Sequence, residues 1–138
     1  MNRNDFKKLS TLRSKEAKTL LAAGQFAGAY YLAGYAIECA LKACISKQTQ
    51  KHDFPDKDIV KESYTHNLDG LLKTAGLAAD FKTDAHANKD LETNWAVIKD
   101  WSEDVRYETT IAEADAKDLY SAITNKTNGV LPWLRKRW

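Results

Sequence analysis

Residues 33–44 place the strongest limit on the fold of this protein. Its pattern predicts a helix that is apolar on almost every side, and a helix without a polar face is normally buried. Glu38 and Lys42 nevertheless lie in its middle, and charged side chains are almost never fully buried unless they are paired. The sequence therefore predicts a helical core in which other groups meet this carboxylate and this ammonium.

The charged residues of this helix share one side of it. At 100° per residue, Tyr31, Tyr35, Glu38 and Lys42 form a narrow stripe opposite a broad apolar face. In one interpretation Glu38 and Lys42 form an i,i+4 ion pair at a solvent edge. In the other, the stripe faces a groove or pocket to which further segments contribute. A flank of small side chains beside the stripe would let another helix approach closely: Leu32, Ala36, Cys39 and Ala43.

Composition is that of one ordinary globular domain spanning residues 1–138. Hydrophobic residues make up 43% of the chain and charged residues 29%, which argues against disorder. The net charge of +2 identifies no partner, but residues 1–20 carry six basic and two acidic side chains. Residues 78–118 carry five basic and eleven acidic ones, and residues 135–137 are all basic. We expect a basic end if the first and last helices lie side by side, although solvated helix ends are the favoured explanation of such charges.

The two cysteines indicate a reducing compartment. Cys39 and Cys44 lie about 140° apart around a helix and cannot bridge each other there. Both lie among alanines, as small buried apolar side chains do. The start of the chain has no apolar segment of the signal-peptide type, and no apolar run of about 18 residues exists. We therefore expect a cytoplasmic protein without a membrane span.

Helical periodicity runs through the first half of the chain. We predict a first helix over residues 4–23, ended by Gly24, and a second over residues 25–47. A polar surface loop follows over residues 48–63 and includes Pro55. A short third helix then begins at Thr65 as N-cap and ends at Gly76 as C-cap.

The second half continues in the same way. A polar loop over residues 78–87 leads to a fourth helix whose apolar residues recur at helical spacing, from Leu91 through Trp95 and Ile98 to Trp101. After a link over residues 102–110, a last helix begins near Ile111 and ends at Asn128-Gly129, and Pro132 can start a final turn. No strand-like alternation persists. The sequence thus predicts an all-α, up-down bundle of four to five helices.

Motifs for catalysis or metal binding are scarce. The three histidines, His52, His66 and His86, lie in or beside predicted loops and at no metal-ligand spacing. The chain has no Gly-rich phosphate loop, no nucleophile elbow and no Glu-x-x-His pair for a bundle metal site. We predict no metal, no cofactor and no catalytic residue.

Two clusters outside the central helix carry polar chemistry. In residues 64–68, His66 lies in the first turn of a helix, where it can either help to bind an anion or hydrogen-bond a neighbouring carbonyl. In residues 101–108, Arg106 can pair with Glu38 through its planar guanidinium, or bind a phosphate while Tyr107 or Tyr35 stacks on a base. Pairing is favoured because it gives Glu38 a partner.

Taken together, residues 34–43, the Tyr-Thr-His-Asn-Leu run at 64–68, and Trp101-Ser102 followed by Arg106-Tyr107 resemble the HEPN family, the higher-eukaryote and prokaryote nucleotide-binding domains. The resemblance covers most of the chain in the expected order. It implies a helical bundle that commonly forms a homodimer. It also implies nucleotide binding, RNA cleavage, or partnership with a nucleotidyltransferase in toxin–antitoxin and defence systems.

One departure from the family pattern bears on activity. HEPN ribonucleases carry an Arg followed after four to six residues by a His, and the positions after Arg106 hold Ile111, Ala112 and Glu113. General acid–base cleavage of RNA by that motif is therefore unsupported.

Three hypotheses about function result. The leading one is a non-catalytic HEPN-like binding module for a nucleotide or a partner protein. The second is an RNA-cleaving toxin that uses His66 with Arg106 in place of the usual pair. The third is a structural module that dimerises through the small-residue flank and has no small-molecule ligand. The residues predicted to bind ligand in the leading hypothesis are Tyr35, Glu38, Lys42, His66, Arg106 and Tyr107.

Overall fold

The fold is all-α, as predicted. A computed structural model describes residues 1–49, 54 and 56–138, and these contain helices and no strand. His52 and Pro55 lie outside the described residues. The elements are α1 (Arg3–Ala22), α2 (Phe26–Gln48), α3 (Lys57–Glu62), α4 (Leu68–Thr74), α5 (Ala78–Ala87), α6 (Lys89–Ile98), a 3-10 helix (Glu103–Tyr107), α7 (Glu113–Thr124) and α8 (Val130–Arg135).

The two long helices form an antiparallel pair. Gly24 ends α1 with φ of +76°, a left-handed conformation that glycine adopts without steric cost. The Ser10 hydroxyl of α1 donates a hydrogen bond of 2.7 Å to the carbonyl of Ala36 on α2. Such an approach requires small side chains, and Ala36, Cys39 and Ala43 are fully buried there. The predicted close approach is confirmed, but the helix that makes it is α1 of the same chain, so this flank is not open to a second copy as the structural hypothesis required.

The buried core surrounds α2. This helix contacts α4, α7, α8 and the 3-10 helix in addition to α1. Its apolar residues Ile37 and Leu41 have no exposed surface, because helices pack on nearly all of its sides. This position explains the feature that made the sequence distinctive: a helix with apolar residues all round lies at the centre of a small bundle.

Two segments predicted as polar loops contain helices. Residues 57–62 form α3, because the Asp56 side chain accepts hydrogen bonds from the first free backbone N–H groups. Residues 78–87 form α5, in which only Phe81 and Ala85 are buried. The Phe81 ring packs against Trp95 and Trp133, at centroid distances of 5.3 and 5.0 Å. Two buried positions in ten residues produce too weak a period to be recognised in the sequence.

Several predicted helix ends also differ. The N-cap of α4 is Asn67 and not Thr65, and Gly76 follows its end with φ of +70°. The fourth predicted helix stops at Ile98, before Trp101. The last long helix stops at Thr124, and Asn128-Gly129 leads into α8.

The two ends of the described chain meet. The Arg3 guanidinium donates to the Trp138 carbonyl, and the Lys7 ammonium lies 5.6 Å from the centroid of the Trp138 ring. Arg135 lies 5.7 Å from the same ring. The start of α1 and the end of the described chain therefore lie close together, and Arg3, Lys7 and Arg135 gather there. Within the described residues, no helix is both long and apolar enough to span a membrane.

Candidate functional site

The buried carboxylate of α2 has two partners. Glu38 is only 2% exposed, and its Oε1 atom lies 3.0 Å from Lys42 Nζ and 2.8 Å from His66 Nδ1. Lys42 is one helical turn away, which is the spacing at which such pairs meet. His66 comes from the segment before α4, so the carboxylate connects two elements that are distant in the sequence.

Local caps hold His66 in this position. The Asn67 side chain accepts from the Gly70 N–H at 2.7 Å and begins α4, while the Thr65 hydroxyl accepts from the Asn67 N–H at 3.1 Å. The other ring nitrogen of His66, Nε2, lies 3.0 Å from Glu103 Oε2 on the 3-10 helix. We call Glu38, Lys42, His66 and Glu103 the Glu38 cluster.

The number of N–H groups on the His66 ring decides how many of the two carboxylates it can donate to. A neutral imidazole has one N–H and can donate to only one of the two carboxylates, whereas the imidazolium donates to both. With His66 in that form, two carboxylates face two cations and their charges balance. The Glu38 cluster therefore has no surplus positive charge, so an anion that binds to it does so through the free N–H donors of Lys42 and not through net charge.

Arg106 does not pair with Glu38, and that prediction was wrong. Its side chain is exposed, and its guanidinium carbon lies 4.9 Å from the centroid of the Tyr107 ring. On the short 3-10 helix it is Glu103 that reaches His66, whereas Arg106, one turn later, is exposed and lies on Tyr107. Sequence reasoning did not select Glu103. The only available signal was that Glu103 lies within residues 101–108, the same polar segment as Arg106.

Aromatic side chains cover the region next to the cluster. Tyr31 stacks on Tyr35 and on Trp101, with ring centroids 6.0 and 6.1 Å apart. Trp101 is fully buried and lies directly over Gly34, where a side chain would leave no room for the indole. Burial, followed by the neighbouring Cys39 and Glu38, raises the pKa of Tyr35 to about 12. Tyr35 is thus part of this stack, and in the stripe of Tyr31, Tyr35, Glu38 and Lys42 only Glu38 is fully buried while the other three are partly exposed.

The two buried cysteines of α2 are expected to make the protein less stable in alkali. Both thiols have raised pKa values, about 12 for Cys39 and about 11 for Cys44, and burial is the main cause. Thiols of the unfolded chain ionise near about 8.5, so above that pH the unfolded state releases protons that the folded state keeps. The free energy of unfolding should therefore fall as the pH rises beyond this value.

Urea unfolding at about pH 8 and about pH 10, on either side of the ordinary thiol pKa, measures this effect. We expect the urea midpoint of the wild type to fall more between the two than that of a Cys39→Ala/Cys44→Ala variant, which lacks both thiols. Equal falls in the two proteins would contradict the assignment.

A groove lies beside the outer end of the cluster. It has a volume of about 400 Å³ and is formed by the start of α1, the end of α2 and the segment before α4. That volume lies within the range of small-molecule sites. Of the six predicted ligand residues only Lys42 lines it, and Tyr64, which is 76% exposed, was not among them. The lining residues are Met1, Phe6, Lys42, Ile45, Ser46, Ser63 and Tyr64.

The predicted site residues thus divide into two groups. Glu38, Lys42 and His66 are brought into contact, with Tyr35 beside them on α2, whereas Arg106 and Tyr107 lie outside the cluster on the exposed side of the 3-10 helix. In the part of the chain that the structure describes, no three His, Cys, Asp or Glu side chains converge as metal ligands. No family model, no curated protein and no solved structure matches this chain.

Proposed function

We propose that this protein is a non-catalytic, HEPN-like binding module that takes a nucleotide in the groove beside Lys42. The observation that carries the proposal is the combination found in this groove of an ammonium, aromatic rings and hydroxyl oxygens. The nucleotidyltransferase-type partner that the resemblance implies belongs to the same proposal.

Each part of a nucleotide finds a suitable group in the groove. Tyr64 and Phe6 provide ring faces on which a base can stack. Lys42 has three N–H donors and uses one of them for Glu38, so two remain for a phosphate. The hydroxyls of Ser46 and Ser63 donate to the carbonyls of Lys42 and Val60, and their oxygens can still accept from ribose hydroxyls.

The geometry weighs against the alternative of RNA cleavage by His66 and Arg106. A general base needs a nitrogen that can reach the attacking hydroxyl, and both ring nitrogens of His66 face carboxylates. A phosphodiester brought to the His66 ring would approach both of those carboxylates, which would repel it. Arg106 lies on Tyr107 and does not contact the His66 ring.

Calorimetric titration with the ribonucleoside 5′-monophosphates tests the proposal. We expect Tyr64→Ala to weaken the affinity of the nucleotide that binds best by about 10-fold, within the range for loss of one stacked ring. Tyr107→Ala is the matched control, because Tyr107 is 72% exposed, similar to Tyr64, but does not line the groove.

The absence of binding at millimolar nucleotide would overturn the proposal. A loss caused by Tyr107→Ala and not by Tyr64→Ala would instead place the nucleotide on the Arg106–Tyr107 surface, as the sequence first suggested, and would contradict the groove. Cleavage of RNA by the purified protein, lost in His66→Ala, would favour the ribonuclease hypothesis.

A further inference from the structure

A second, larger groove lies away from Lys42, between α2, α6, the 3-10 helix and α7. Its volume is about 540 Å³, and its apolar lining includes Tyr30, Val97, Val105 and Ile111, of which Val97 is exposed although apolar. The lining contains no basic residue, but it contains four exposed carboxylates: Asp100, Glu108, Asp115 and Asp118. We call this site the acidic groove.

The carboxylates of the acidic groove are available to an external cation. None of the four forms an ion pair with any residue that the structure describes. These carboxylates also affect the electrostatics inside the groove. Burial raises the pKa of Tyr30, and the negative charges of Asp115 and Asp100 raise it further. An apolar surface surrounded by unpaired carboxylates fits an apolar side chain that is flanked by cations.

The chain itself presents such a surface on α1. Leu12 is 49% exposed, and Lys8 and Lys15 lie four residues before it and three after it, hence on the same side of the helix. A shallow groove of about 340 Å³ runs along this side, and Lys7 and Thr11 also line it. We call Lys7, Lys8, Leu12 and Lys15 the basic face of α1.

We propose that the acidic groove binds the basic face of α1 from a second copy of this chain. The two surfaces share no residue and belong to helices fixed in one bundle, so only a second copy can bring them together. Leu12 enters the groove between Tyr30 and Val97, and the lysines pair with the four carboxylates. The contact joins two different surfaces, so a pair of copies keeps one free surface of each kind and further copies can add to form open chains.

This contact is independent of the nucleotide groove and differs from a symmetric homodimer. Its strength depends on salt, because exposed charges act over about 10 Å at 0.1 M salt and about 3 Å at 1 M. Sedimentation equilibrium of the full chain should show a mass that rises with protein concentration beyond two copies at low salt. In high salt the mass should return to that of one chain.

Two charge-reversal variants test which surfaces meet. Lys8→Glu/Lys15→Glu removes the basic face, and Asp100→Lys/Asp118→Lys removes the acidic groove; all four positions are exposed. Each variant alone should have the mass of a single chain. An equimolar mixture should associate, since each variant retains the surface that the other lacks. Lys73→Glu/Lys82→Glu, at two exposed positions outside both surfaces, should associate like the wild type.

Several outcomes would overturn the proposal. They are a wild-type mass that stays at one chain in low salt, a mass that levels off at two copies, and a mixture that remains monomeric while circular dichroism shows both variants folded. Loss of association in the Lys73→Glu/Lys82→Glu control would attribute the effect to net charge alone and would equally refute a contact between these two surfaces.

Discussion

Replacing Lys42 by Met and His66 by Ala in one chain is expected to lower the free energy of unfolding by about 3–5 kcal/mol, the usual cost of leaving a buried charge without its partners. Glu38 is 2% exposed and both of its described partners would be gone, while its second oxygen, Oε2, is buried and accepts no hydrogen bond from the described residues. Urea unfolding followed by circular dichroism measures the loss.

Two further variants separate the buried charge from other effects of the double substitution. Adding Glu38→Gln to the same background should recover a large part of the loss, because a neutral amide costs less to bury than an unpaired carboxylate. Arg106→Ala, which removes an exposed cation without a contact to Glu38, should leave the urea midpoint unchanged. If the triple variant were no more stable than the double variant, the carboxylate would not be the cause.

The Glu38 cluster fixes the arrangement of three elements. It connects α2, the segment before α4 and the 3-10 helix through one carboxylate and one imidazole. A buried ion pair adds little net stability compared with a well-packed apolar contact, because desolvation of the charges offsets their attraction. We infer that its effect is on register: an arrangement that shifted α4 along α2 would leave Glu38 without His66.

The sequence predicted the all-α fold and the long helices well, because their signals are local. A strong apolar period and the break at Gly24 determine the limits of α1 and α2 to within one residue. The helix α5 was missed because its stability comes from the packing of Phe81 against Trp95 and Trp133, which lie far apart in the chain. Contacts of this kind leave no trace in the local pattern.

The site shows the same limit. The pairing of Glu38 with Lys42 follows from their spacing, and the contact with His66 agrees with the cluster that the sequence singled out. Glu103 and Arg106 lie one turn apart on the same side of the 3-10 helix, so which of them meets the cluster depends on how that helix lies against α2. Sequence reasoning took opposite charge as the guide and selected Arg106, whereas the 3-10 helix meets the cluster through Glu103 and the far nitrogen of the His66 ring.

We expect Gly34→Ala to lower the free energy of unfolding by about 3 kcal/mol, at the upper end of overpacking penalties, because residue 34 lies against Trp101. A Cβ atom at residue 34 would overlap the indole ring of Trp101, which is fully buried and stacked on Tyr31. The ring has no exposed side toward which to move. The gain from replacing a helical glycine by alanine, about 1 kcal/mol, is too small to compensate.

Thermal unfolding gives the measurement, and Gly28 on the same helix gives the control. We expect Gly34→Ala to lower the Tm by roughly 10 °C for a domain of this size. At Gly28 a Cβ would meet only the terminal methyl of Leu20, at 3.1 Å, and this flexible side chain can turn away. Gly28→Ala should therefore be neutral or raise the Tm slightly, since it gains helix propensity without a clash. If the two substitutions changed the Tm equally, helix propensity alone would explain both changes. The packing of Trp101 would then not require a glycine at residue 34.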